Sequence, residues 1–180
     1  MAGKGKHRID LRLATQILLL QLTVVALTLG IAFALLAVVS QRRLIHEYGT
    51  RSLDIARVVA DGPAVREEVA RDNANLPTVD QLEEGQLQKL AGQVLHATGA
   101  LFVVITTEKG IRLTHPNRDE LGKPVSTEPF AALTGREEVS QATGTLGPSV
   151  RAKVPVFAPD SEKVVGQVSV GMSTSWVYRL

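Results

Sequence analysis

Arg151 and Lys153 stand two residues apart in Val150-Arg151-Ala152-Lys153-Val154-Pro155-Val156, a run in which charged and apolar residues alternate. In a β-strand that alternation sends both cations to one face and Val150, Ala152, Val154 and Val156 to the other. A solvated outer face is the plain alternative, since half-buried strands commonly carry one. A second run, Gly110-Ile111-Arg112-Leu113-Thr114-His115-Pro116, adds an arginine and a histidine. Arg112 and His115 have opposite parity, so both reach one site only if the strand bends, and Pro116 suits an end there. In Val165-Gly166-Gln167-Val168-Ser169-Val170-Gly171 small residues recur where a ligand or another backbone could come close, and Ser169 offers a hydroxyl. Two guanidinium groups, one ammonium, one imidazole and one hydroxyl can together form an anion site. Arginine presents a planar fork that matches a carboxylate, and lysine presents a point charge.

Other chemistry finds less support. His46-Glu47-Tyr48 has the His-Glu pair of a phosphoacceptor box, but it lies just after an apolar run and no nucleotide-binding glycine motif follows. His96 reads as an ordinary helix residue and His7 as part of a basic tail. Gly144-Thr145-Leu146-Gly147-Pro148-Ser149 lacks the Gly-Lys-Ser/Thr ending of a phosphate loop and reads as a turn. No histidine is spaced with carboxylates as metal ligands are. The absence of cysteine excludes disulfides, thiolate metal sites and cysteine nucleophiles, and suits export without oxidative folding. No catalytic residue, metal or cofactor is expected.

The elements that would position these residues follow from periodicity. Ile17 to Val39 is an uncharged run of 23 residues; as a helix it reaches about 34 Å, enough for a hydrocarbon core of about 30 Å. That length exceeds a signal-peptide core, so residues 17–39 are expected to remain as a transmembrane anchor. Residues 1–40 carry Lys4, Lys6, Arg8 and Arg12 against Asp10 alone, while the rest of the chain is nearly neutral. A nearly neutral domain lacks the basic surface that a nucleic-acid partner requires. Residues 1–16 are therefore expected to be a cytoplasmic tail and the long domain to lie outside the cell membrane.

Residues 41 to 72 continue as an amphipathic helix, broken near Asp61-Gly62-Pro63 and resuming through Val65 and Val69. Asn73 to Pro77 reads as a loop, and a second helix is predicted over Asp80 to Thr98, stopped by Gly99. Strands follow at Ala100–Thr106, Gly110–Thr114, Glu138–Thr143, Val150–Phe157 and Val164–Met172. The layout is α+β: a transmembrane helix, a long helix, a second helix and a five-stranded antiparallel sheet.

Several of these segments, in this order, resemble the sensor histidine kinases for citrate and four-carbon dicarboxylates. The resemblance runs from Gln41 to Met172. It rests on Arg51-Ser52-Leu53-Asp54-Ile55-Ala56-Arg57-Val58-Val59-Ala60, Arg112-Leu113-Thr114-His115-Pro116, Asp119-Glu120-Leu121-Gly122-Lys123, Gly144-Thr145-Leu146-Gly147, Ser149 to Val156 and Val165 to Gly171. It implies a PAS-like, single-Cache sensor domain over residues 41–176, working as a homodimer in the input of a two-component system. It also implies that Arg112, His115, Arg151, Lys153 and Ser169 hold the carboxylates of a small ligand. Lys153, two residues after Arg151, resembles the citrate type, whereas Val104 stands where that type has a hydroxyl residue. The family would continue past Leu180 into a second span and a kinase, so this chain is expected to sense without phosphorylating. The same input domain could serve a chemoreceptor or a cyclic-dinucleotide enzyme, because input domains are reused on different outputs. A membrane-tethered extracytoplasmic enzyme would need a nucleophile and base within reach, and no such set is visible. A structural anchor with an unliganded domain is the remaining class.

Overall fold

The computed structural model describes residues 7–126 and 130–175. The chain divides into two compact units, Met1–Arg43 and Leu44–Leu180. The described residues of the first unit belong to the N-terminal part of helix α1 (His7–Ala60). Its large side chains are exposed, Leu20 by 66% and Phe33 by 74%. Thr23 and Thr28 donate their hydroxyls to Leu19 O at 2.8 Å and Val25 O at 2.9 Å. A helix that satisfies its own polar groups and shows apolar side chains all round is long and apolar enough to cross a membrane.

In the second unit α1 runs to Ala60, and α2 (Pro63–Ala74) restarts with proline in its first turn. The expected single helix over Asp80–Thr98 is instead two, α3 (Val79–Glu84) and α4 (Gln86–Thr98). Thr78 and Gln81 form a capping box that starts α3. Gly85 is extended, with ψ 160°, and serves as the end of one helix and the start of the next.

The sheet has four strands, β1 (Phe102–Thr107), β2 (Glu138–Gly144), β3 (Gly147–Phe157) and β4 (Val164–Ser173), in the order β1-β4-β3-β2 and antiparallel throughout. The expected fifth strand, Gly110–Thr114, is absent from it; that segment makes only isolated bridges, Thr106 with Arg112 and Ile111 with Pro124. The cause is Thr114. Its buried hydroxyl accepts the Ile105 N–H at 2.8 Å and donates to Val103 O at 3.1 Å, so a side chain occupies the edge that a ladder would need. Leu113 N–H and Thr114 N–H then converge on Ile105 O, at 2.8 and 3.3 Å. Between β2 and β3 the two-residue loop Thr145-Leu146 closes on Gly147, whose φ of +97° a side chain would strain.

One face of the sheet carries Val103, Ile105, Ala152, Val154, Val156, Val168 and Val170. They form one core with Ala56, Val59 and Ala60 of α1, Val65 and Val69 of α2, and Leu87 and Ala91 of α4. Burial of that apolar face is the main force holding the sheet to the helices. Arg66 reinforces it by donating to Phe157 O at 2.9 Å and Ala158 O at 2.7 Å. Since β-strand side chains alternate, the polar residues between those valines must occupy the opposite face.

Candidate anion-binding site

The register puts the polar residues of that opposite face in rows. Val104 lies opposite Ser169 and Ser169 opposite Lys153; Phe102 lies opposite Gly171 and Gly171 opposite Arg151. The cations therefore stand on β3 beside the small residues of β4. Gly171 is needed for close approach, because a Cβ there would come within 2.3 Å of the Phe102 ring. The ring in turn lies 5.3 Å from Arg151 Cζ, within cation–π range.

Arg151 and Lys153 are not on a solvated face. They are 6% and 5% exposed, which excludes that alternative. Arg151 Nη2 donates to Ala142 O at 3.1 Å and Ser149 Oγ at 2.9 Å, while its buried Nε has no partner among the described residues. Burial pushes the Arg151 pKa below its ordinary value. No carboxylate pairs with Arg151 among the described residues, so a desolvated positive charge faces the depression, a costly arrangement that a ligand anion would relieve.

The other two cations have resident partners that sequence reasoning missed. Arg112 Nη1 lies 3.0 Å from Glu120 Oε2 and donates to Pro124 O at 2.7 Å. Lys153 Nζ lies 3.8 Å from Glu138 Oε2. These carboxylates offset part of the positive charge, and no short-range spacing signals either pair.

His115 is held from two sides. Gln88 of α4 brackets its backbone, accepting from His115 N at 3.0 Å and donating to His115 O at 2.8 Å. Nδ1 lies 3.0 Å from Asn117 N and 3.1 Å from Asn117 O, so it accepts the amide in one tautomer and donates to the carbonyl in the other. Nε2 lies 3.4 Å from Thr145 Oγ1 in the β2–β3 loop. Burial, and then Arg112, push the His115 pKa down, against Asn117 and Glu120, which raise it. Folding therefore favours the neutral ring, which carries one N–H donor and one acceptor nitrogen.

All five residues singled out from sequence, Arg112, His115, Arg151, Lys153 and Ser169, line this one depression. Its empty space, counted to the open mouth, is about 450 Å³. The parity conflict between Arg112 and His115 disappears because the segment bearing them leaves the sheet. Sequence reasoning passed over Gln167, Thr145 and Phe102, which also line the depression. Gln167 shares the parity of Ser169 and could have been found from it. A larger depression of about 970 Å³ lies elsewhere, lined by Glu68, Arg71 and Asp72 among others. Burial raises the Glu68 and Asp72 pKa values there, and two carboxylates make it a poor anion site despite its size.

Residues 39–180 match the family described as single cache domain 3. The chain belongs to that family. Sensor protein CitS of Halalkalibacterium halodurans is 36% identical over 132 residues, which is 72% of this chain and 23% of that protein. Sensor histidine kinase DcuS of Escherichia coli is 27% identical over 128 residues, 71% of this chain and 22% of that protein. The chain thus spans less than a quarter of the length of these curated relatives. The crystal structure of the E. coli DcuS sensor domain superposes with a TM-score of 0.64 and 26% identity, covering 75% of this chain and 95% of that domain. The likeness to kinases is therefore a likeness to their single-cache sensor domain, an α+β fold with helices on one face of an antiparallel sheet and the depression on the other.

Proposed function

We propose that this chain is the ligand-sensing input of a membrane-anchored receptor and binds a small di- or tricarboxylate, citrate or a close relative, without altering it. The observation that carries the reading is Arg151: a buried guanidinium without a carboxylate partner among the described residues, its Nε unpaired. Arg112, Lys153, His115 and Ser169 surround the same space and supply the remaining polar groups. Residues 17–39 serve as the span, residues 1–16 as the inner tail, and residues 41–176 as the extracytoplasmic domain of a homodimer. The output is a histidine kinase, as the name of DcuS gives for that relative.

Ligand carboxylates bridging Arg112 and Arg151 would draw the irregular segment of the first toward the strand of the second. β4, which presents Ser169 and runs on to Ser173, would carry the displacement toward the C-terminal end. A thermal-shift screen of the full chain in detergent against di- and tricarboxylates tests the binding claim, because a ligand preferring the folded state raises its Tm. A dose-dependent rise with citrate is expected; no rise with any carboxylate would refute the reading.

A further inference from the structure

We propose that Gln167 reads a hydroxyl on the ligand, so that the site selects a 2-hydroxy polycarboxylate over the same acid without its hydroxyl. The inference rests on the carboxylate reading above and narrows the ligand class for the same site.

Gln167 lies on β4 two residues before Ser169, with its side chain on the face that bears Arg151 and Lys153. It is 1% exposed, and its Oε1 is buried without a partner. Its neighbours across the strands do not meet it: Thr106 spends its hydroxyl on Thr107 O at 3.1 Å, and Pro155 brings no donor. A side-chain amide has one acceptor and two donor hydrogens, and buried amides are nearly always bonded.

The charged groups lining the depression are donors: Arg112, Arg151 and Lys153 are matched to an anion. Ionised carboxylates accept and never donate, so a ligand with carboxylates alone could meet the Gln167 N–H groups but not Oε1. A hydroxyl on the carbon next to a carboxylate completes the match. The O–H donates to Oε1 while the adjacent carboxylate oxygen accepts from Nε2, a two-point contact along the amide edge. An ammonium group could also donate to Oε1, but three cationic side chains line the same space and disfavour a ligand of that charge.

Two matched pairs test this by calorimetry on the full chain in detergent: citrate against tricarballylate, and malate against succinate, at pH 8 so that all carboxyl groups are ionised. The hydroxy acid of each pair that binds is expected to bind roughly 10- to 100-fold tighter, the effect of one buried hydrogen bond and its unmet acceptor. In Gln167→Met the citrate-to-tricarballylate ratio should shrink toward one. Equal affinities within both pairs for the unaltered chain would overturn the inference, since a water would then meet Oε1, while leaving the carboxylate reading standing. A ratio unchanged in Gln167→Met would take the hydroxyl contact away from Gln167. Failure of all four acids to bind would sink the carboxylate reading and this inference with it.

Discussion

Replacing Arg151 by methionine separates binding from folding, because the same burial that makes the guanidinium useful to a ligand makes it a burden to the unliganded domain. Methionine fills much of the volume and removes the charge. The unliganded protein loses two hydrogen bonds, to Ala142 O and Ser149 Oγ, and the contact with the Phe102 ring. It also loses the cost of a desolvated charge with no carboxylate opposite it among the described residues. Those terms are of similar size and opposite sign, about 1 to 3 kcal/mol per charged hydrogen bond against several for the buried ion. The Tm without ligand should therefore stay within about 5 °C of the parent. Citrate binding should weaken by about 2 to 5 kcal/mol, the usual cost of removing one partner of a buried charge pair, which is roughly 30- to 5,000-fold in Kd. Arg136→Met is the control, since Arg136 is exposed and outside the depression, and it should change Kd little. Calorimetric titration of the parent and both variants, with melting curves beside them, reads all these quantities. Equal and small losses of affinity in the two variants would refute the reasoning. So would a large fall in Tm with Kd preserved, which would make Arg151 a structural residue.

Further outcomes follow from the same geometry. Because burial and Arg112 hold the free His115 pKa below its ordinary value and a bound carboxylate would raise it, citrate affinity should climb as pH falls through the pKa of the complex. It should level off below the pKa of the free protein, and His115→Gln should flatten the profile. The unliganded domain should meanwhile lose stability as pH drops below the ordinary histidine value, since folding favours the neutral ring, and melting curves with and without the substitution should diverge there. Thr114→Val leaves the Ile105 N–H and Val103 O without their side-chain partner and should cost about 1 to 3 kcal/mol for each in chemical unfolding, with weaker ligand binding because Arg112 and His115 flank it. A reporter fused after Leu180 should be active outside the cytoplasm, because the uncharged run Ile17–Val39 follows a basic tail; activity inside would reverse the proposed orientation.

Strand alternation around Arg151 and Lys153 was legible because a period of two needs no knowledge of neighbours. Their burial was not legible. The cover over that face comes from the segment around Arg112 and His115 and from the Thr145-Leu146 loop, and these approach only once the chain has folded. Gly110–Thr114 has the composition of a strand, yet the Thr114 hydroxyl takes over ladder positions on β1 and turns the segment away. Propensity does not carry that local competition between side chain and backbone. The same departure brings Arg112 and His115 together. Thr78 and Gln81 spell a capping box in the sequence, and Gly85 marks a possible break, but the apolar period running from Leu82 to Leu95 reads straight through it. Glu120 and Glu138 illustrate a limit of another kind. Cations can be counted from composition, whereas their resident partners are set by tertiary contacts, so the site is less positive than its basic residues alone suggest.

Saturable binding of citrate to the full chain is the most direct test of the central claim, that this depression is a carboxylate sensor site. Isothermal titration at pH 7 should give one site per chain, with the heat abolished or strongly reduced in Arg151→Met. Absence of heat with citrate, malate and succinate alike, from a chain shown by its melting curve to be folded, would contradict the account.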